Sequence, residues 1–273
     1  MNLLQPDVIA LVIILGGAGG FLAGLLGIGG GIIFVPLFLH LFPLVGVSSD
    51  VMVHMAFGTS LGIILPTAVS STLGHRKRGN VDWHHVYGLA AGGIAGAVAG
   101  STLAAWLDGD RLQLAFALMQ VAVALRMFRQ KRYLPPEREG RVPWLHLALV
   151  GAAGGLFSSF FGVGGGVVAV PLMVIALQLP IQLAVGNSSA LIVVSSLAGV
   201  LSYALHGYGL PHLPPLSIGY VNLLVAGLIA PLSMIMARVG VRVAAHLAHD
   251  KLVRAFAILL IVVAVKIGWR VFG

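Results

Sequence analysis

Three glycines in a row, Gly29, Gly30 and Gly31, open an apolar stretch that runs on through Val35-Pro36-Leu37. The arrangement returns 135 residues later as Gly164, Gly165 and Gly166 with Val170-Pro171-Leu172. Without side chains, these positions let the backbone turn and come close to a ligand, while the amides that open a following helix point outward unpaired. A helix start of that kind is an anion site in the making. A second polar set recurs after it, at an offset of 128, because Ala56-Phe57-Gly58-Thr59-Ser60 matches Ala184-Val185-Gly186-Asn187-Ser188. Hydroxyls and an amide can donate to sulfonate-like oxygens without the desolvation cost of a buried cation. The candidate substrate-binding residues are therefore Gly29, Gly30, Gly31, Thr59, Ser60, Gly164, Gly165, Gly166, Asn187 and Ser188.

Competing explanations exist for several of these residues. Small polar residues in membrane helices often bond helix to helix, and the four-residue ladders Gly16/Gly20/Gly24 and Gly88/Gly92/Gly96/Gly100 read as packing stripes. A glycine triplet exceeds what a four-residue stripe requires. His54 stands four residues before Gly58 on the same helix face and is the one candidate for a proton carrier. Asp50, after Ser48-Ser49, reads as a helix N-cap. No Asp or Glu lies well inside an apolar run, so a carboxylate relay has no members, and no Walker-type phosphate loop is present. No cofactor or metal motif is identified. An intramembrane serine hydrolase, with Ser60 or Ser188 as nucleophile and His54 or His206 as base, lacks the Gly-x-Ser-x-Gly elbow and conflicts with the paired polar positions. The expectation is a transporter and not an enzyme.

The elements that hold these residues follow from composition. Hydrophobic residues are 59% and charged residues 9% of 273, against about 25% charged in soluble domains, so lipid must be the solvent for most of the surface. The net charge of +8 sits in short loops rather than along one face, which marks cytoplasmic loops and argues against nucleic acid as a partner. Apolar runs fall at about 8–27, 32–44, 51–73, 84–107 and 111–128, then about 144–161, 167–179, 184–205, 217–238 and 252–270. Runs 32–44 and 167–179 are too short for upright spans and each follows a triple glycine, so they are expected to be short or re-entrant helices.

Loop charge sets orientation. His75-Arg76-Lys77-Arg78 and the linker with Arg129, Lys131, Arg132, Arg138 and Arg141 belong inside; Asp108-Gly109-Asp110 belongs outside. In the second half the 206–211 loop has no Lys or Arg, whereas Arg238, Arg242, Lys251 and Arg254 surround the next one. Equivalent loops thus lie on opposite sides. The expected fold is an all-α integral membrane protein made of two inverted-topology repeats of about five helical segments each, 1–128 and 144–273, joined by a cytoplasmic linker at 129–143. Parity puts the triple glycines at the turn of a helical hairpin or V, and the first segment begins outside.

These residues resemble the TauE/SafE family of membrane permeases, associated with export of sulfite and small organosulfonates. The resemblance rests on Gly27-Ile28-Gly29-Gly30-Gly31 with Val35-Pro36-Leu37, on Ala56-Phe57-Gly58-Thr59-Ser60, on Gly79-Asn80-Val81-Asp82 after the basic loop, and on the second-half copies; it covers nearly the whole chain. It implies a multi-pass protein of a bacterial-type cell membrane whose partners are the bilayer and a small sulfur-containing anion. The alternative within transport is a channel or importer for another small anion. With the cytoplasm negative, the membrane potential favours export of an anion without a coupled ion.

Overall fold

The structure is a computed structural model and describes residues 6, 10, 13–14, 16–21, 30–129, 142–211, 213–244 and 249–272; Gly24, Gly27, Gly29 and all but the ends of the expected linker lie outside them. Among the described residues the elements after the helical residues 16–21 are α1 (Gly31–Leu44), α2 (Ser49–Lys77), α3 (Trp83–Trp106), α4 (Gly109–Arg129), α5 (Trp144–Phe161), α6 (Gly166–Ile175), α7 (Ile181–His206), the hairpin β1 (Ser217–Ile218) and β2 (Val221–Asn222), α8 (Leu223–Ala244) and α9 (His249–Phe272). Six of them, α2, α3, α4, α5, α7 and α8, are long and apolar enough to cross a bilayer. This is the all-α membrane architecture that the composition requires.

The short helices stay short. α1 has 14 residues and α6 has 10, or about 21 and 15 Å at 1.5 Å per residue, against roughly 30 Å of hydrocarbon. Gly162, Gly164 and Gly165 take φ of 67°, 85° and 69°, a left-handed region closed to most side chains, and this breaks the chain between α5 and α6. Beyond the break α6 turns back along α5: Gly165 packs on the Gly154 carbonyl, and Gly154 faces Ala169 one turn further on. The triple glycine is therefore the bend of a V. At the start of α2, Ser48 rather than Asp50 is the cap, its hydroxyl accepting from the Asp50 amide at 3.3 Å. The Ser48 backbone is extended and Asp50 already lies in the first turn, where its charge favours the helix dipole.

Contacts repeat between the halves at residue level. Gly151 and Gly155 on α5 pack against the backbone of Leu89 and Gly93 on α3; Gly16 and Gly20, 135 positions earlier, pack against Ile229 and Ser233 on α8, 140 positions later. Along the α3–α5 seam, methyl groups at Gly92, Gly96 and Gly100 would run into the carbonyls of Ala148, Ala152 and Leu156. These ladders are the close-packed stripes of membrane helices. Arg238 near the end of α8 donates to Ser70 near the end of α2 at 2.8 and 3.2 Å, so α8 runs parallel to α2. Ser101 bonds Ser202 at 2.6 Å and Asp82 bonds Asn187 at 2.8 Å, so α3 runs parallel to α7. His54 at the start of α2 meets the Ala104 carbonyl at the end of α3, so the two pairs are antiparallel to each other.

Candidate functional site

The two glycine stretches meet. Gly31, the first residue of α1, lies against Gly162 and Val163 with no room for a Cβ. Gly164 faces Ile64 and Ile192, and a methyl group at Gly166 would stand 3.2 Å from Ile192 Cδ1 and 3.5 Å from Ser188 Oγ. Gly30 caps α1 with φ 80° and Gly165 caps α6 with φ 69°; neither helix has a side-chain cap. In the first turn of α6 the Gly166 amide reaches Gly164 O at 2.9 Å, and the Val168 and Ala169 amides share Gly165 O at 3.1 and 2.9 Å. The Val167 amide makes no backbone bond among the described residues.

The four polar candidates divide into two kinds. Thr59 is fully buried and its Oγ1 accepts from the Asn222 amide at 3.0 Å; Asn187 is fully buried and its Oδ1 accepts from the Asp82 amide at 2.8 Å. Each accepting atom is thus bound to a loop backbone, while Asn187 Nδ2 has no partner among the described residues. Ser60 donates to the Gly162 carbonyl at 2.7 Å, fastening the bend of the V to α2. Its counterpart Ser188 is 2% exposed, and its Oγ has no partner among the described residues. No Asp, Glu, Lys or Arg is buried among the described residues, so positive potential here comes from helix starts alone.

Not every glycine candidate faces this space. Gly165 fits against Gly154 and Ser158 and serves the packing of α6 on α5, and Gly29 lies outside the described residues. His54 is held by α3 and the hairpin: Nε2 lies 3.0 Å from the Ala104 carbonyl, and the ring stacks on Tyr220 at 5.0 Å. His206 Nδ1 is beside Ser202, so neither histidine makes the serine–histidine pair with Ser60 or Ser188 that hydrolysis needs. An apolar cavity of about 180 Å³ lies between α2, α3 and α7, lined by Val69, Leu73, Trp83 and Val193 with Thr72, whose hydroxyl is committed to Ala68 O. It has no group to hold an anion.

Sequence reasoning missed a buried hydroxyl group beside the site. Ser195 reaches Ser158 at 3.4 Å, Tyr203 donates to the Ser159 carbonyl at 2.9 Å, and the fully buried Ser196 Oγ has no partner among the described residues. The signal was present, since Ser188, Ser195 and Ser202 recur every seven residues and share one face of α7.

Residues 12–267 match the family model for the sulfite exporter TauE/SafE. A probable membrane transporter protein of Haemophilus influenzae is 32% identical over 94% of this chain and 97% of its own length. One of Xylella fastidiosa is 32% identical over 96% of each, and one of Methanocaldococcus jannaschii is 28% identical over 85% of each. No solved structure matches the chain. With glycine-broken helices, paired polar positions and a family match over nearly its whole length, this multi-pass membrane transporter belongs to the sulfite exporter TauE/SafE family.

Proposed function

We propose that the chain exports a small sulfur-containing oxyanion, sulfite or an organosulfonate, through a central site at the start of α6 between two inverted repeats, 1–128 and 144–273. One observation carries this reading: Ser188 Oγ, buried and without a partner among the described residues, stands beside Gly166, where a helix begins with no side-chain cap. A buried hydroxyl leaves its hydrogen bond unmade only at a cost of about 1–3 kcal/mol, which a bound acceptor would recover. Helix start and hydroxyl both supply donors, so the partner they suit is an anion with several acceptor oxygens. Asn187 Nδ2 adds two further donors on the adjacent residue. The family's description as sulfite exporters supports sulfur as the central atom and outward as the direction.

The test is thermal stabilisation of the purified protein by sulfite, sulfate, thiosulfate, taurine, sulfoacetate and sulfolactate, because a ligand that binds the folded state raises its stability. Sulfite or a sulfonate should shift the transition in wild type, and Ser188→Ala should weaken that ligand about tenfold, the value of one hydrogen bond. Equal affinity in wild type and Ser188→Ala, or stabilisation by none of the six, would overturn the site.

A further inference from the structure

The loops that dock on Thr59 and Asn187 are equivalent, and they sit at opposite ends of the molecule. After α2, Gly79-Asn80-Val81-Asp82 folds back so that the Asn80 amide meets His75 O at 3.0 Å, Asn80 O abuts Gly186, and the Asp82 amide meets Asn187 Oδ1. After α7, Gly219-Tyr220-Val221-Asn222 does the same: the Tyr220 amide meets Tyr203 O at 3.2 Å, Tyr220 O abuts Gly58, and the Asn222 amide meets Thr59 Oγ1. Each loop also caps the helix beyond it, Asp82 accepting from the His84 amide and Asn222 Oδ1 from the Val225 amide, both at 2.9 Å. Loop and helix start are therefore joined in one hydrogen-bonded unit. Asp82 caps α3 at one end, while His54, one turn before Gly58, reaches Ala104 at the other, so α3 separates the docks by most of its length.

We infer that these docks are the two gates of the transport cycle, with Gly58 and Thr59 the seat of one, Gly186 and Asn187 the seat of the other, and loops 219–222 and 79–82 the moving parts. Both are shut here. Each seat combines a glycine that admits a loop carbonyl with one side-chain acceptor that holds a loop amide. Each loop is held on its seat by one hydrogen bond to a side chain, and on the 219–222 side the Tyr220 ring also stacks on His54; closures of this size can open during transport. On the Asn187 seat, Nδ2 has no partner among the described residues and stands on the residue next to Ser188, so bound anion and shut loop orient the same side chain. That last link rests on the proposed anion site; the gates themselves rest on the docked geometry.

The chain has no cysteine, so one reporter suffices. Ser196→Cys is close to isosteric, fully buried, and lies on α7 between Asn187 and Tyr203. In oriented vesicles, its labelling by a membrane-impermeant cationic methanethiosulfonate should be slow from both faces. Adding Gly58→Ala, which pushes Tyr220 O away, should raise labelling from the face that carries loop 219–222; adding Gly186→Ala should raise it from the opposite face. Thr59→Val and Asn187→Leu remove the hydrogen bond without a clash and should act in the same directions, by about tenfold for one bond lost. Labelling unchanged in all four, or raised from the same face by both halves' variants, overturns the gates. Opposite-face opening with no protection of the thiol by sulfoacetate, a sulfonate that does not consume the thiosulfonate reagent as sulfite would, upholds them while removing the Ser188 site.

Discussion

Ser60 and Ser188 hold equivalent places in the two repeats and do different work. The hydroxyl of Ser60 is spent on the Gly162 carbonyl at 2.7 Å, so it holds the bend of the V in place; that of Ser188 is buried and unspent among the described residues. Ser60→Ala should therefore destabilise the protein by about 1–2 kcal/mol, measured by unfolding in mixed micelles, because it strands a buried carbonyl. Ser188→Ala should leave stability within about 0.5 kcal/mol, since it breaks no bond within the protein. Equal losses at the two positions would mean that Ser188 is also a structural hydroxyl. The sequence shows only the pairing of the two serines. Their difference depends on which carbonyl each one meets, and Gly162 is 102 residues from Ser60.

Helical elements are largely legible in the sequence because lipid removes the alternatives: a backbone in hydrocarbon must satisfy itself within a helix. The runs at 32–44 and 144–161 match α1 and α5 to within a residue, and the short run at 167–179 matches a helix that cannot cross. The apolar run expected over 217–238 takes in 217–222 because Ile218 and Val221 continue it; Gly219 at φ 55° and the Asn222 cap make that stretch a hairpin instead, and the helix begins at Leu223. The glycine ladders read as packing, and the seam between α3 and α5 agrees, with Gly96 set against the Ala152 carbonyl. Gly96→Leu should therefore prevent folding, seen as loss of the monodisperse detergent-solubilised protein, whereas Gly74→Leu, with open space around it, should express and fold normally. Normal folding of Gly96→Leu would show that the seam yields.

At the scale of the whole molecule the absence of buried carboxylates and cations among the described residues bears on how transport is driven. Arg238 beside Ser70 brings the basic residues near the end of α8 to the same face as Arg76, Lys77 and Arg78, which agrees with one cytoplasmic side for both clusters. Between that face and the other, His54 is the one buried histidine of the described residues, and it is tied to Ala104 and Tyr220. If the chain exports an anion as proposed, the membrane potential alone could drive it, because each negative charge leaving a cytoplasm at about −100 mV gains about 2.3 kcal/mol. In liposomes loaded with sulfite or a sulfonate, a potassium–valinomycin potential, negative inside, should accelerate efflux. A pH gradient at zero potential should do no more than change the ionisation of the substrate. If the pH gradient alone drives uphill movement, and His54→Gln removes that effect while downhill exchange continues, then His54 carries a coupled proton and potential-driven uniport is wrong. A rate indifferent to both gradients would instead require a counter-anion returning through the same two gates.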